Sequence, residues 1–262
     1  MLRPRIIPCL LVQNNGLVKT VGFKSPKYVG DPINAVKIFN EKEADELIVL
    51  DIDATVKGAE PNFQMVAHLA AECRMPLCYG GGVRSVEQAK RIIGLGVEKV
   101  AISAAAVADP QLLTRIADAV GRQSVVAVLD VRKRTGLFSS GYEITTRNGN
   151  VSHKLDIIDF VKELERAGAG EIVINSVDRD GVMKGYDLKL AKDIREAVGI
   201  PLTFLGGAGS LGDIGELFKT CGVVGAAAGS LFVFKGQYRA VLINYPTQAQ
   251  KDEIIRSSLH VC

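Results

Sequence analysis

The sequence has 262 residues, of which 47% are hydrophobic and 23% are charged. This apolar content supplies a sizeable core and excludes a mainly disordered chain, and the length suits one large domain or two small ones. The charges are nearly balanced, with 32 lysine and arginine residues against 29 aspartate and glutamate residues. Net charge therefore gives no sign of a nucleic-acid partner.

The cysteines indicate neither a disulfide framework nor a zinc site. The chain has five of them, an odd number, without a Cys-x-x-Cys pair, and it has three histidines. We therefore predict that the protein uses no metal and no cofactor. The N-terminal apolar run is short and contains Pro8, and no apolar run is long enough to span a membrane. These features predict a cytoplasmic protein.

Eight short apolar runs alternate with segments of helical periodicity. The runs predict strands at Ile6–Val12, Leu47–Ile52, Leu77–Tyr79, Lys99–Ser103, Val125–Val131, Ile172–Asn175, Leu202–Leu205 and Val223–Ala228. The segments between them predict helices, among them Ile33–Ala44, Asn62–Cys73, Val86–Gly94 and Leu155–Ala167. Asp31 and Pro32 are typical of a helix start. Eight such units predict an α/β fold, the (β/α)8 or TIM barrel, whereas a doubly wound sheet would usually stop at five or six strands.

An internal repeat relates the two halves of the predicted barrel. The segment Met75–Ser85 resembles Ile200–Ser210, which lies 125 residues later, and both contain a glycine run after a strand. We therefore predict a single barrel over residues 1–243, with halves of about 1–120 and 121–243, and a C-terminal tail over 244–262.

Two predicted connections are long. One follows the first strand, over Gln13–Gly30, and the other follows the fifth strand, over Arg132–His153, with a hairpin predicted at Tyr142–Thr146. In a TIM barrel both connections lie at the C-terminal ends of the strands, which is the catalytic face. Long loops at that face act either as lids or as simple insertions.

Glycine runs follow the third and seventh strands, and small residues follow the fourth and eighth. Backbone N–H groups at glycines approach anions closely, and helix N-termini add partial positive charge. The symmetric pair predicts an elongated ligand with a phosphate at each end, although such glycines can also form tight turns without a ligand. The candidate phosphate-binding residues are Gly81, Gly82, Ser103, Gly206, Gly207, Gly229 and Ser230.

Polar side chains also end several strands on the catalytic face: Asp51, Asp53, Asp130, Asn175, Asp178 and Asp180. Asp130 is the best candidate for a general acid or base, because burial after five apolar residues would raise its pKa. It could instead pair with Arg132 or Lys133, and Asp178–Gly181 could be a simple turn. The position that the repeat aligns with Asp130 is Leu11.

Four charged residues lie at the opposite face, near the starts of the first, second, fourth and sixth strands. They are Arg5, Glu46, Lys99 and Glu171. Judged by themselves, they are typical of a stabilising ring of salt bridges, since features of that face usually concern stability.

Several motifs in chain order resemble the cyclase subunit of imidazole glycerol phosphate synthase over about residues 1–240. They are Arg5–Leu10, Gly30–Pro32, Ala44–Leu47, Gly80–Gly82, Gly168–Ile172, Asp178–Gly181 and Gly206–Gly209. The resemblance implies a TIM barrel of two related halves and a substrate with two phosphates, with Lys19, Asn175, Asp178 and Gly181 among the substrate-binding positions. It also implies a glutaminase partner on the N-terminal face, with ammonia entering the barrel through a gate formed by the four charged residues.

The sequence departs from that family at its catalytic face. The family pairs an aspartate at position 11 with Asp130, and Leu11 here cannot transfer a proton. Loss of a general acid or base typically costs about 10²–10⁴ in rate. Three further polar residues of the family are missing here. Its asparagine is absent from Ala101–Ala104, its serine is replaced by Leu205, and its threonine is replaced by Asn175. Compared with that family, the catalytic face therefore has fewer polar side chains, whereas all four charged residues of the gate are present.

This pattern is similar to cyclase-like paralogues encoded with surface-polysaccharide genes. Such paralogues, with a glutaminase-like subunit, supply ammonia to a third enzyme that turns an acetamido group of a sugar into an acetamidino group. Three functions stay open at this point. They are ammonia channelling for nucleotide-sugar amidation in lipopolysaccharide or O-antigen synthesis; the authentic cyclase–lyase reaction of histidine biosynthesis; and a non-catalytic scaffold that activates the glutaminase.

Overall fold

A computed structural model describes residues 3–134 and 141–259 of the chain. Its central sheet consists of β1 (Arg5–Gln13), β2 (Leu47–Asp51), β3 (Leu77–Gly80), β4 (Lys99–Ile102), β5 (Val125–Lys133), β6 (Glu171–Ser176), β7 (Leu202–Leu205) and β8 (Gly225–Ala228). Each strand pairs in parallel with the next, and β8 pairs with β1. The sheet is therefore a closed barrel, which confirms the predicted TIM-barrel fold.

Helices surround the barrel between successive strands. The longer ones are Pro32–Glu41, Phe63–Glu72, Val86–Gly94, Gln111–Val120, Ile157–Arg166, Leu188–Ala197, Leu211–Cys221 and Gln248–Ser258. Short helices at Ala54–Lys57, Ala104–Ala108 and Ser230–Val233 follow β2, β4 and β8. Asp31 caps the first helix by accepting a hydrogen bond from the backbone N–H of Asn34, with Pro32 at the first helical position, as predicted.

The strands carry apolar side chains on both faces. Outward side chains such as Ile6 and Leu10 pack against the helices in the larger core. Inward side chains form a second cluster inside the barrel: Ile7, Cys9, Ile48, Cys78, Ala101, Val126, Val128, Val173, Leu205 and Ala227. Burial on both faces explains why the strands appear in the sequence as continuous apolar runs.

Two hairpins extend the barrel at its C-terminal face. After β1, the strands Gly16–Val21 and Lys24–Gly30 form an antiparallel pair whose first strand continues onto β1. After β5, the strands Tyr142–Thr146 and Val151–His153 do the same. A hairpin is therefore present where it was predicted, with Tyr142–Thr146 as its first strand, whereas the role of either connection as a lid stays a prediction.

The C-terminal segment contributes to the outer layer of the barrel. Its helix Gln248–Ser258 packs against the helix Leu211–Cys221, where the Oγ of Ser258 lies 3.1 Å from a Cβ built on Gly215. Before this helix, the buried Tyr245 hydroxyl donates a 2.7 Å hydrogen bond to the Ile6 carbonyl. Within the described ranges, no helix is long and apolar enough to cross a membrane.

Candidate active site and charged ring

A cavity of about 560 Å³ opens at the C-terminal ends of the strands. Residues of five strands line its inner end: Leu11, Leu50, Ala101, Val128, Asp130 and Asn175. The loops after β2, β3 and β4 and the hairpins after β1 and β5 form its walls. This volume is typical of a small-molecule site.

Asp130 and Asn175 form a hydrogen-bonded pair in this cavity. They lie directly opposite each other on β5 and β6, and the Nδ2 of Asn175 donates a 2.9 Å hydrogen bond to Oδ1 of Asp130. Burial raises the pKa of Asp130 to about 7, against the opposing effect of the Asn175 hydrogen bond. A carboxyl with this pKa can take up and release a proton near neutral pH, as a general acid or base requires.

The basic residues next to Asp130 have other partners. Arg132 forms an ion pair with Glu143 at 2.7 Å, and Lys133 lies 3.3 Å from Asp187. The pairing of Asp130 with Arg132 or Lys133, which the sequence left as an alternative, is therefore not formed. Asp130 faces the cavity instead.

Leu11 gives the cavity an alkyl side chain at the predicted second catalytic position. Together with Leu50, it packs against the apolar cluster inside the barrel. Asp51 also lines the cavity, but its Oδ1 accepts hydrogen bonds from the backbone N–H groups of Asp53 and Ala54. Leu11 itself therefore offers no group for proton transfer, whereas burial raises the pKa of Asp51 on the neighbouring strand.

The predicted phosphate-binding residues after β3 and β4 lie in the same cavity. Gly81, Gly82 and Ser103 all line it. Gly81 has a φ of +126°, and a Cβ there would lie 2.5 Å from the Asp51 carbonyl oxygen. Both the conformation and the close approach exclude a larger side chain, so the backbone N–H groups stay accessible, as an anion site requires.

The predicted residues after β7 and β8 surround a much smaller space of about 30 Å³. Gly206, Gly207, Gly229 and Ser230 line it, with Asn175 and Gly181. Such a volume holds about one water molecule. The two halves of the barrel therefore differ in this structure, because one predicted phosphate position is open and the other is nearly filled.

Lys19 lines the second position. It reaches in from the hairpin after β1, and its Nζ donates a 2.6 Å hydrogen bond to the carbonyl of Cys9. A Cβ on Gly229 would lie only 2.5 Å from this Nζ. Desolvation lowers the pKa of Lys19, although Coulombic interactions with Cys9 and Asp180 oppose the shift. The predicted substrate-contacting lysine is thus directed to the predicted phosphate position.

The acidic residues after β6 hold neighbouring loops. Asp178 lies outside the two cavities and accepts a 2.7 Å hydrogen bond from the backbone N–H of Lys133. Asp180 accepts hydrogen bonds from Thr20 Oγ1 at 2.6 Å and from the Phe23 N–H at 3.0 Å. Asp178 is therefore not brought to the cavity with Asp130, and Asp180 anchors the hairpin that carries Lys19.

Other cavity residues were not predicted from the sequence. Arg147, Asn148 and His153 come from the hairpin after β5, and Arg84 follows β3. The His153 ring lies 2.9 Å from Thr146 Oγ1. The sequence signals a hairpin at Tyr142–Thr146, but it contains no signal for the direction in which a hairpin folds.

The four charged residues at the other face form a closed ring. Glu171 pairs with Arg5 at 2.7 Å and with Lys99 at 2.8 Å. Glu46 pairs with Lys99 at 2.7 Å and also with Arg5. Thr203, which the sequence did not single out, donates a 2.6 Å hydrogen bond to Glu171 Oε1.

The ring keeps the carboxylate of Glu171 ionised although it is buried. Desolvation favours the neutral form of Glu171, but Arg5 and Lys99 overcome it and lower its pKa to about 2. Between this ring and the cavity lies the apolar cluster inside the barrel. An apolar interior disfavours ions far more than small neutral molecules.

Among the residues that the structure describes, no group of three histidine, cysteine, aspartate or glutamate side chains is placed to hold a metal ion. The described residues place Asp51 and Asp130 in the large cavity and Lys19 beside the small one, together with the backbone of the glycine runs.

Comparisons with known proteins agree with this architecture. A family model described as histidine biosynthesis protein matches residues 5–239. A Vibrio vulnificus protein provisionally named imidazole glycerol phosphate synthase subunit hisF3 is 56% identical over 255 residues, covering 97% of each chain. A Pseudomonas aeruginosa protein provisionally named subunit hisF2 is 54% identical over 246 residues, covering 94% of this chain and 97% of its own.

A relative with an unqualified name is more distant. The imidazole glycerol phosphate synthase subunit HisF of Lactococcus lactis is 37% identical over 259 residues, covering 99% of this chain and 96% of its own. The family model and these relatives all extend over the whole barrel. The chain therefore belongs to the histidine biosynthesis protein family, among the HisF-like cyclase subunits of imidazole glycerol phosphate synthase.

Proposed function

We propose that this chain is the synthase subunit of a glutamine amidotransferase complex in the cytoplasm. In this proposal it receives ammonia from a glutaminase subunit and channels it through the barrel to a third enzyme. That enzyme amidates a nucleotide sugar for lipopolysaccharide or O-antigen biosynthesis. The observation that carries the proposal is Leu11 in a cavity that retains Asp130, at the opposite end of the barrel from a complete charged ring.

The catalytic argument concerns proton transfer. Closing an imidazole ring and releasing a leaving group needs protons to be removed and returned at different atoms of the substrate. Asp130 can serve one of these positions, but Leu11 offers no exchangeable proton at the other. We therefore expect the cyclase–lyase reaction to be slow, whereas passage of ammonia needs no second carboxylate.

The channelling argument concerns the barrel interior. The ring lies at the N-terminal mouth, where a docked glutaminase would release ammonia. Neutral ammonia can pass apolar side chains such as Ile7, Val126 and Val173, whereas ammonium pays a large desolvation cost there. Every ring carboxylate has two cationic partners, and in this proposal these ion pairs rearrange to admit ammonia.

The authentic cyclase of histidine biosynthesis is the second candidate. It would combine ammonia with phosphoribulosyl-formimino-AICAR-phosphate and give imidazole glycerol phosphate and AICAR. Two observations favour it: the pKa of Asp130 is raised to about 7, and Gly81 and Gly82 line an open cavity beside it. In this case another group must replace the proton transfer that Leu11 cannot perform.

The test is to give the purified chain this histidine intermediate with an ammonium salt and to measure imidazole glycerol phosphate. We expect turnover about 10²–10⁴ below that of a genuine HisF subunit, because one acid–base group is missing. Leu11→Asp should raise turnover, and Leu11→Asn is the matched control, since it adds polarity without an acid. Wild-type turnover equal to that of a genuine HisF subunit would overturn the proposal in favour of the cyclase.

A further inference from the structure

Exposed large apolar side chains concentrate at the C-terminal face of the barrel. Nine such side chains are exposed among the described residues, and eight of them follow the C-terminal end of a barrel strand: Val21, Tyr28, Val56, Val151, Val182, Tyr238, Val241 and Leu242. The ninth, Val223, precedes β8 at the other end. Single exposed apolar residues are normal, but such an uneven distribution marks an interaction surface.

Six of these side chains belong to three loops that touch one another. We call them the apical patch: Val21, Tyr28, Val182, Tyr238, Val241 and Leu242. A Cβ on Gly181 would lie 3.1 Å from Val21, which joins the hairpin after β1 to the loop after β6. Nη2 of Arg239 donates a 2.9 Å hydrogen bond to the Gly181 carbonyl, which joins the loop after β8 to the loop after β6.

The patch has the composition of an interface centre. Tyr238 is 88% exposed, Tyr28 is 67% exposed and Leu242 is 51% exposed. Tyrosine and arginine are the residue types that most often dominate binding energy. Arg239 lies over the ring of Phe234 at 5.1 Å, and its Nε is buried without a hydrogen-bond partner among the described residues.

The rim of the patch is basic. Exposed lysines on the same loops are Lys24, Lys27, Lys184 and Lys235. Within the described ranges, none of them forms an ion pair. The nearby Asp178 and Asp180 are engaged by backbone and hydroxyl groups of this chain. Charge complementarity therefore selects a partner surface with an apolar centre and an acidic rim.

The location explains why a partner is needed there. The hairpin that carries Val21 also places Thr20 and Phe23 on the wall of the large cavity, so the patch borders the cavity mouth. Ammonia that escapes from this mouth into neutral water becomes ammonium and loses the lone pair that makes it a nucleophile. If another enzyme uses the channelled ammonia, a docked protein surface must therefore exclude bulk water from the cavity mouth.

We propose that the apical patch docks the ammonia-consuming enzyme, which would seal the cavity mouth with an apolar surface rimmed by carboxylates. This inference rests on the proposed function, because a cyclase uses ammonia within its own cavity and needs no external cover. The docked enzyme would lie at the opposite end of the barrel from the charged ring, so the barrel interior would connect two partners.

The test measures binding of a purified sugar-amidating enzyme of surface-polysaccharide synthesis to the purified complex of this chain with its glutaminase. The variant combines Tyr238→Ser with Leu242→Ser, and Val223→Ser is the matched control at the other end. We expect the double variant to weaken this binding about 10- to 100-fold, as for loss of central interface residues, and the control to leave it unchanged. Lys27→Glu with Lys235→Glu should weaken binding and reduce its dependence on salt.

The possible results separate this inference from the proposed function. Binding of the double variant with wild-type affinity overturns the docking site, and the proposed function survives if amidation from glutamine continues. A wild-type chain that binds no amidating enzyme but turns over the histidine intermediate overturns both. A dimer that the double variant converts to a monomer in sedimentation assigns the patch to self-association instead. Unchanged thermal unfolding and unchanged glutaminase binding show that the variants are folded.

Discussion

The pair Asp130 and Asn175 shows how a single side chain adjusts the pKa of a buried carboxyl. The amide of Asn175 stabilises the ionised form of Asp130 through one 2.9 Å hydrogen bond, while burial favours the neutral form more strongly. No cation neutralises Asp130 within the described ranges, in contrast to Glu171, whose pKa Arg5 and Lys99 lower to about 2. Two buried carboxyls of one barrel thus have opposite pKa shifts because their neighbours differ.

The raised pKa of Asp130 predicts how Asp130→Asn changes stability. Between the ordinary aspartate pKa and about 7, the unfolded chain has released this proton and the native chain retains it, so wild-type stability falls as pH rises through that range. Asp130→Asn has no buried carboxyl to ionise at this position. The difference in unfolding free energy, variant minus wild type, should therefore be more positive at pH 8 than at pH 5. Urea unfolding at both pH values measures it. Asp118→Asn, on an exposed helix surface, is the control, and an Asp130→Asn gain that does not grow with pH contradicts the assignment.

At the scale of elements, the hairpin after β1 determines the state of one predicted phosphate position. Its strands Gly16–Val21 and Lys24–Gly30 are held over the barrel by Asp180, and this placement buries Lys19 beside Gly229. The equivalent position after β3 and β4 opens into the large cavity, whose walls include the hairpin after β5. The repeat in the sequence predicts two equal positions, and the asymmetric hairpin makes them unequal.

Asp180→Ala should therefore release this hairpin. Hydrogen bonds to a charged group contribute about 1.5–3 kcal/mol each, so losing those from Thr20 and Phe23 should speed amide hydrogen exchange over residues 16–30 at least about 10-fold. Hydrogen exchange with mass spectrometry measures this rate. Asp178→Ala is the control, because Asp178 holds Lys133 and not the hairpin. Equal exchange in the two variants would show that the hairpin is held by its backbone pairing with β1.

Local patterns explain which elements the sequence predicts. All eight strands are confirmed, because burial on both faces leaves continuous apolar runs between capped helices. The helix Gln248–Ser258 has few apolar residues, and its buried Lys251 is stabilised by a 2.6 Å ion pair with the distant Asp45. The capping box of Thr247 and Gln250 is the local signal that could have revealed it.

The site is less predictable, because it depends on contacts between distant loops. The position of Asp130 at a strand end follows from the sequence, as does the ring at the strand starts. Arg147 and His153 line the cavity because the hairpin after β5 folds toward it. Long-range packing determines that direction, so it cannot be read from the local sequence. The small volume at one predicted phosphate position depends on how Lys19 is held, and no short motif encodes that contact.

For the whole molecule, the barrel joins three regions along one axis. The charged ring lies at the N-terminal mouth, the apolar cluster fills the interior, and the cavity opens at the C-terminal face. In the proposed function the ring admits ammonia, the interior carries it as a neutral molecule, and the cavity releases it. A scaffold that only activates the glutaminase would need the ring and its surroundings but not a passable interior.

Val126→Phe distinguishes channelling from a scaffold role. Val126 is 1% exposed in the inward cluster on β5, so a larger side chain there should block the interior while leaving both faces intact. Overpacking costs about 1–3 kcal/mol of stability, which a folded barrel can tolerate. In the complex with the glutaminase and the amidating enzyme, we expect glutamine hydrolysis to continue, amidation from glutamine to fall at least about tenfold, and added ammonium salt to restore it. Val126→Ala, which does not narrow the interior, is the matched control and should keep the two reactions coupled. If Val126→Phe folds and couples glutamine hydrolysis to amidation as wild type does, ammonia does not travel through the barrel and the scaffold role is favoured.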